Sequence, residues 1–203
     1  MNEESIPLEN VSPPPSVKYL NFEQGSQEWL KAREGLYSGT TADKLLKFGK
    51  IEYALNHLEK PFRTFYTDRS KILEPDTIKL FTFLTYFPTI QVGLVLNTNY
   101  PDCCFSPDRL VRLRSSYPNI LVEVKNFSES KHLELIHAKT VTDLPFKILA
   151  QIYFGMLICR TPTAFLLPFN PQIKNPIERF KVIKINQNKL VENNFKRILG
   201  EGK

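Results

Sequence analysis

The run ILVEVK, residues 120–125, limits the possible folds of this chain more than any other segment. It is an almost wholly apolar run, interrupted by Glu123 and ended by Lys125, so it reads as a mostly buried strand. Glu123 and Lys125 are two residues apart on one strand and therefore share a face, whereas Val124 points the other way, into the core. A carboxylate and an ammonium on a mostly buried strand are costly unless they are paired or bound to a metal.

The preceding segment, SPDRLVRLRSSYPN, alternates apolar and basic residues over DRLVRLRS and then turns at SSYPN. The two segments can form an antiparallel hairpin. With the turn at Ser115 to Asn119, facing residues have numbers summing to about 234, which pairs Arg112 with Leu121 or Val122 and Asp108 with Asn126. Asp108 then falls within a residue or two of Glu123 and Lys125. Two carboxylates so placed can hold Mg²⁺, a hard cation that prefers oxygen ligands. Lys125 can orient a water or stabilise developing negative charge, the chemistry of metal-assisted phosphodiester hydrolysis. Spacing alone favours a second reading, an ion pair on a sheet edge, because D…E-x-K is a loose pattern that occurs often by chance.

Around this hairpin the chain reads as one mixed α/β domain. Residues 1–18 are polar, acidic and proline-bearing and are expected to form a disordered tail, with a single folded domain over 19–203. GSQEWLKAREGL predicts a helix capped by Ser26; SGTTADKLLKFGK predicts a second, closed by Gly49; IEYALNHLEK predicts a third, stopped at Pro61. LEPDTIKLFTFLTYF has apolar residues at helical spacing, with Glu74 and Asp76 in its first turn, where the helix dipole alone accounts for them. TIQVGLVLN reads as one strand. LPFKILAQIYFGMLIC is the most apolar helix, packed across the sheet; TAFLLPF and ERFKVIKI follow as strands, and NKLVENNFKRILG closes the chain as a helix ended by Gly200.

With 203 residues there is room for one core, and the excess of Lys and Arg over Asp and Glu, 27 to 21, suits a partner with a phosphate backbone. Cys103, Cys104 and Cys159 show no metal-ligand spacing and leave an odd thiol over, so a reducing compartment, the cytoplasm or nucleus of a host cell, is expected. Neither a basic-then-apolar leader nor an apolar stretch of about 18 residues is found, so no membrane role is expected. Trp29 reads as a core anchor, Arg33 as either a helix cap or a partner of Glu28, and Gln151 as a residue satisfying a buried backbone group.

Five segments in order carry a resemblance: QGSQEWLKAREGLYSGT, ILEP ahead of a helix, VGLVLNTNYPDCCFSPDRLV, ILVEVK and LAQIYFGM. They are similar to the Q-x-S-x-x-W-x-x-x-R, Gly-x-x-x-Glu-Pro, SPDG, E-x-K and Q-x-x-x-x-M motifs of the viral recombinase and alkaline exonuclease family, typified by phage lambda exonuclease. This is the YqaJ-type branch of the PD-(D/E)XK nucleases. The resemblance spans roughly residues 22–168 and implies a restriction-endonuclease-like core, a mixed central β-sheet flanked by helices.

It further implies that Glu74, Asp108 and Glu123 surround Mg²⁺, with Mn²⁺ able to substitute, and that Lys125 is the catalytic lysine. Arg33, Thr40, Ser106 and Gln151 would hold a terminal 5′-phosphate or the neighbouring backbone. Arg109 departs from the motif, in the place of the SPDG glycine, and either tightens the turn or sets a cation beside the DNA. The implied activity is 5′-to-3′ exonuclease action on duplex DNA ends in recombination or viral DNA processing. A separately encoded single-strand annealing recombinase and a homo-oligomeric ring are the partners it suggests. Two other readings stand beside it: a structure-specific endonuclease on the same core, and a catalytically inactive homologue that binds DNA or protein. Ser70, Arg109 and the Cys103–Cys104–Phe105 run, which depart from the motifs, motivate the last.

Overall fold

A computed structural model describes residues 6–50, 65–113 and 115–200. Two sheets organise them. A three-stranded antiparallel sheet has the order β1 (Val17–Leu20), β3 (Leu94–Asn97), β4 (Cys104–Phe105). A five-stranded sheet has the order β2 (Thr89–Ile90), β5 (Arg109–Val111), β6 (Ile120–Lys125), β7 (Thr163–Pro168), β8 (Ile183–Asn186). Pairing is antiparallel except between β6 and β7, which run parallel. A parallel pair needs a long crossover, and here it holds two helices, α4 (Glu129–His137) and α5 (Phe146–Cys159).

ILVEVK is the middle strand of the five, as its apolar run requires. Leu121 joins Leu110, Ala164, Leu166 and Ile185 on the face that packs with α5, through residues such as Ala150 and Ile152. Ile120, Val122 and Val124 join Val111 and Leu167 on the opposite face, under Ile78 and Phe81 of α3 (Phe65–Thr85). Helices thus cover both faces of the sheet, the layering expected of such a strand.

Local chemistry places the shorter helices. Ser26 caps α1 (Gln27–Ala32) by accepting from the Trp29 N–H, as its position predicts. Ser38 and Thr41 form a reciprocal capping box over a short 3₁₀ turn, Gly39–Thr41, that leads into α2 (Ala42–Phe48), and Gly49 ends α2 at φ 75°. α6 (Lys189–Leu199) is capped by Asn188 and ended by Gly200 at φ 92°. The expected helix IEYALNHLEK lies outside the described residues.

Several expectations are corrected. Packing begins ahead of residue 19: Val17 and Lys18 pair with Asn97 and Leu96, and Val11 is buried, because apolar residues between the prolines reach the core. TIQVGLVLN is two strands in different sheets, divided at Gly93, where a Cβ would lie 1.8 Å from the Phe22 carbonyl oxygen. α3 is already helical at Phe65, where the described residues resume, well before Glu74, and it runs through Pro75; Arg69 ties the part upstream of Glu74 to Asn170 Oδ1 at 2.6 Å. Glu74 is therefore mid-helix, and the dipole of a first turn does not explain it.

The hairpin register also differs from expectation. Arg109 pairs with Val122, Leu110 with Leu121 and Val111 with Ile120, so facing numbers sum to 231. The Asn119 side chain closes the loop early, accepting from Leu113 N at 3.0 Å and donating to Leu113 O at 3.2 Å. β5 is consequently short, and of ERFKVIKI only Ile183–Asn186 is strand. α4 and the strands β1 and β4 had no counterpart in the sequence reading. Among the described residues no helix is long and apolar enough to cross a membrane.

Candidate active site

The corrected register moves Asp108 from beside Asn126 to the position facing Glu123. Its Oδ2 accepts the Val124 N–H at 2.6 Å, which fixes the carboxylate, just ahead of β5, against the C-terminal end of β6. Lys125 Nζ lies 2.7 Å from Glu123 Oε1, and both side chains are largely buried, 16% and 4% exposed. Gln151 of α5 completes this pair: its Nε2 donates to Glu123 Oε1 at 2.5 Å, and its Oε1 accepts from Lys125 Nζ at 3.2 Å. Gln151 thus serves the charged pair rather than a backbone group.

One oxygen is left over. Glu123 Oε2 is buried and has no hydrogen-bond partner among the described residues, a costly state for a carboxylate unless a further donor or cation joins it. Glu74 approaches from the α3 side, where Arg109 Nη1 donates to its Oε1 at 3.1 Å. The same Nη1 donates to the Asp108 carbonyl oxygen at 2.5 Å.

The electrostatics follow from crowding three carboxylates. Burial pushes the Asp108 carboxyl well above its usual range, and Glu123 and Glu74 push it further. Glu74 is raised too, first by burial and then by Glu123, with Arg109 opposing. Burial disfavours the Lys125 ammonium, but Glu123, Asp108 and Glu74 outweigh it, and the pKa rises. The lysine is a fixed positive charge at this site.

Hard oxygen donors, mutual repulsion and an orphaned carboxylate oxygen all suit a divalent cation. The fit is incomplete in one respect: among the described residues no three His, Cys, Asp or Glu side chains are gathered closely enough to hold a metal ion. Asp108 and Glu123 supply the suitable donors, while Glu74 is held by Arg109.

The expected phosphate-binding residues form a second cluster. Arg33 stacks over the Trp29 ring, 4.0 Å from its centroid, and donates from Nη2 to Ser38 Oγ at 3.1 Å. Ser38 Oγ and Thr40 Oγ1 are hydrogen-bonded at 2.9 Å. Trp29 Nε1 donates to Ser106 Oγ at 2.9 Å and to Gly93 O at 3.0 Å. Trp29 is half-buried and works as a bracket between α1 and the SPD turn, not as a simple core anchor, and Arg33 does not pair with Glu28. Ser38 was not singled out from the sequence, although its Ser-x-Thr spacing with Thr40 marked it.

The turn carrying Ser38 and Thr40 abuts the charged pair: a Cβ on Gly39 would lie 3.1 Å from Gln151 Cγ and 2.7 Å from the Phe105 ring. The two clusters therefore adjoin. Burial pushes the Cys103 thiol up to about 12 and, against the opposing charge of Arg33, that of Cys104 up to about 11, so both are protonated packing groups. His132 is buried with its Nε2 against Glu178 O at 2.6 Å, and His137 meets Glu178 at 2.7 Å; both lie apart from these clusters.

No family model matches the chain, and no curated protein matches its sequence. Its structure is similar to LHK-Exo in complex with dAMP, with TM-score 0.70, 17% identity and coverage of 86% of this chain and 89% of that one. It is similar also to the alkaline exonuclease LHK-Exo from Laribacter hongkongensis, with TM-score 0.66, 18% identity and coverage of 87% and 92%. A phage-related exonuclease from Haemophilus somnus 129PT follows, with TM-score 0.51, 13% identity and coverage of 90% and 91%. The chain has the mixed α/β fold of these exonuclease structures.

Proposed function

We propose that this chain is a Mg²⁺-dependent nuclease that degrades duplex DNA from its ends, 5′ to 3′. The observation that carries the reading is the meeting of Asp108, Glu123, Lys125 and Gln151 at one end of the central strands, with Glu123 Oε2 unpartnered. The fold shared with exonucleases, one of them in complex with dAMP, supports it, and so does the net charge of +6.

In this reading Asp108 and Glu123 hold the cation. When bound, it lowers the pKa of a water and neutralises charge on the phosphodiester. Lys125, kept protonated by its carboxylate neighbours, stabilises the negative charge that develops as the P–O bond breaks. Gln151 holds the lysine and Glu123 in place. Arg33 presents a planar fork to the terminal phosphate, with Ser38, Thr40 and Ser106 adding hydroxyl donors. The role follows as DNA recombination or viral DNA processing inside a cell, beside a separately encoded annealing recombinase, with the chain as a homo-oligomer.

One observation favours a second reading. Arg109 and Lys125 already pair with Glu74 and Glu123, as in a homologue that binds DNA without cleaving it. Linear and covalently closed circular duplex, incubated with Mg²⁺, separate these cases. The expected outcome is nucleotide release from linear DNA, faster from 5′-phosphate than 5′-hydroxyl ends, with the circle intact. Linearised circle would mean an endonuclease; no release from either substrate would sink the enzyme reading.

A further inference from the structure

Arg109 departs from the glycine of the SPDG motif, and its contacts are specific. It lies on β5 facing the α3 side of the sheet, with a side chain only 14% exposed. Both hydrogens of Nη1 are used, one on Glu74 Oε1 and one on the Asp108 carbonyl. A guanidinium carries five N–H donors, and those on Nε and Nη2 have no protein partner among the described residues. The Asp108 contact fixes the guanidinium to the backbone of a candidate metal-holding residue.

Charge makes the consequence definite. Glu74, Asp108 and Glu123 bring three negative charges, and Lys125 and Arg109 bring two positive ones. A glycine at position 109 would leave Glu74 without its guanidinium, as a third carboxylate for metal. With arginine there, Glu74 is neutralised by the protein, and no three acidic side chains gather among the described residues.

We propose that Arg109 is a built-in second cation: it takes Glu74 in place of metal and leaves Asp108 and Glu123 as the site for a single divalent ion. This rests on the metal-dependent reading above and sharpens it. Arg109 is in this sense a positioning residue. Its free N–H groups also suit a phosphate oxygen beside that ion.

Calorimetric titration of the full chain with Mn²⁺ and with Mg²⁺ tests it without reference to activity. Arg109→Gln is expected to tighten binding about tenfold, the effect of a unit charge a few ångströms from a divalent ion in a water-like dielectric. Glu74→Gln is expected to weaken it several-fold, by leaving the guanidinium uncompensated. The double variant Glu74→Gln/Arg109→Gln should return to within about threefold of wild type, since a neutral pair has been removed. Asp108→Asn should weaken binding by at least about tenfold through loss of an anionic ligand.

If Glu74 is instead a metal ligand, Glu74→Gln weakens binding as much as Asp108→Asn does and the double variant stays at least about tenfold weaker than wild type, and the proposal is overturned. Arg109→Lys keeps the charge and should bind as wild type; if it binds like Arg109→Gln, packing rather than charge is responsible, and the proposal again fails. Absence of cation binding in wild type and every variant would overturn both this inference and the reading beneath it. Circular dichroism of each variant confirms that folded protein is compared.

Discussion

Asp108 holds its carboxylate beside two others, and the arrangement opposes folding. Its pKa in the fold is raised by burial and by Glu123 and Glu74, so the folded state binds protons more readily than the unfolded chain. Stability contributed by this group is therefore present at low pH and declines as pH rises above the ordinary carboxylate range. Asp108→Asn keeps an acceptor for the Val124 N–H and removes the charge. In metal-free buffer at neutral pH its Tm should exceed that of wild type by roughly 2–4 °C, the effect of about 1 kcal/mol in a chain of this size. Thermal melts across pH check it: an unchanged or lower Tm, or an undiminished decline with pH, contradicts the account. At this scale the sequence was legible in residue types but not in partners. Asp108, Glu123 and Lys125 were chosen correctly as neighbours, yet Asn119, a single side chain in the loop, set the register that brings them together.

The helix α5 is held close to the sheet by an absent side chain. A Cβ on Gly155 would lie 2.5 Å from Phe105 Cζ and 2.8 Å from Leu121 Cδ2, and Gly39 flanks the same ring from the other side. Phe105, the bulky member of the Cys103–Phe105 departure, is thus a wedge seated between two glycines, one turn of helix from Gln151. Gly155→Ala should destabilise the protein by about 1–3 kcal/mol through overpacking, measured by urea unfolding. Adding Phe105→Leu should recover part of that loss, because the residues touch and their effects are not additive. Strict additivity of the two substitutions would count against the wedge. The apolar run around Gly155 made α5 legible as a buried helix, whereas its contact with Phe105 joins residues 50 apart and leaves no local signal. α3 was misplaced for a related reason. Pro75 marks a helix start by local rules, but burial of Ile78 and Phe81 and the Arg69–Asn170 bond carry the helix through it.

Taken whole, the molecule sets two clusters side by side at one end of its central strands. One holds Asp108, Glu123, Lys125 and Gln151; the other holds Arg33, Ser38, Thr40 and Ser106 around Trp29. Layering was readable because ILVEVK is apolar apart from Glu123 and Lys125 and α5 is predominantly apolar, which demands a strand covered by a helix. The division into two sheets was not, since it turns on the close approach of Gly93 to Phe22. The central claim is that the first cluster hydrolyses DNA and the second only positions it. Its most direct test is nucleotide release from 5′-labelled linear duplex with Mg²⁺ by wild type, Asp108→Ala and Lys125→Ala, with DNA binding followed in parallel by gel shift. The account predicts release by wild type, a loss of at least about a hundredfold in both variants, and a shift retained by all three. Release by either variant at the wild-type rate, or none by wild type while it still shifts DNA, would contradict it.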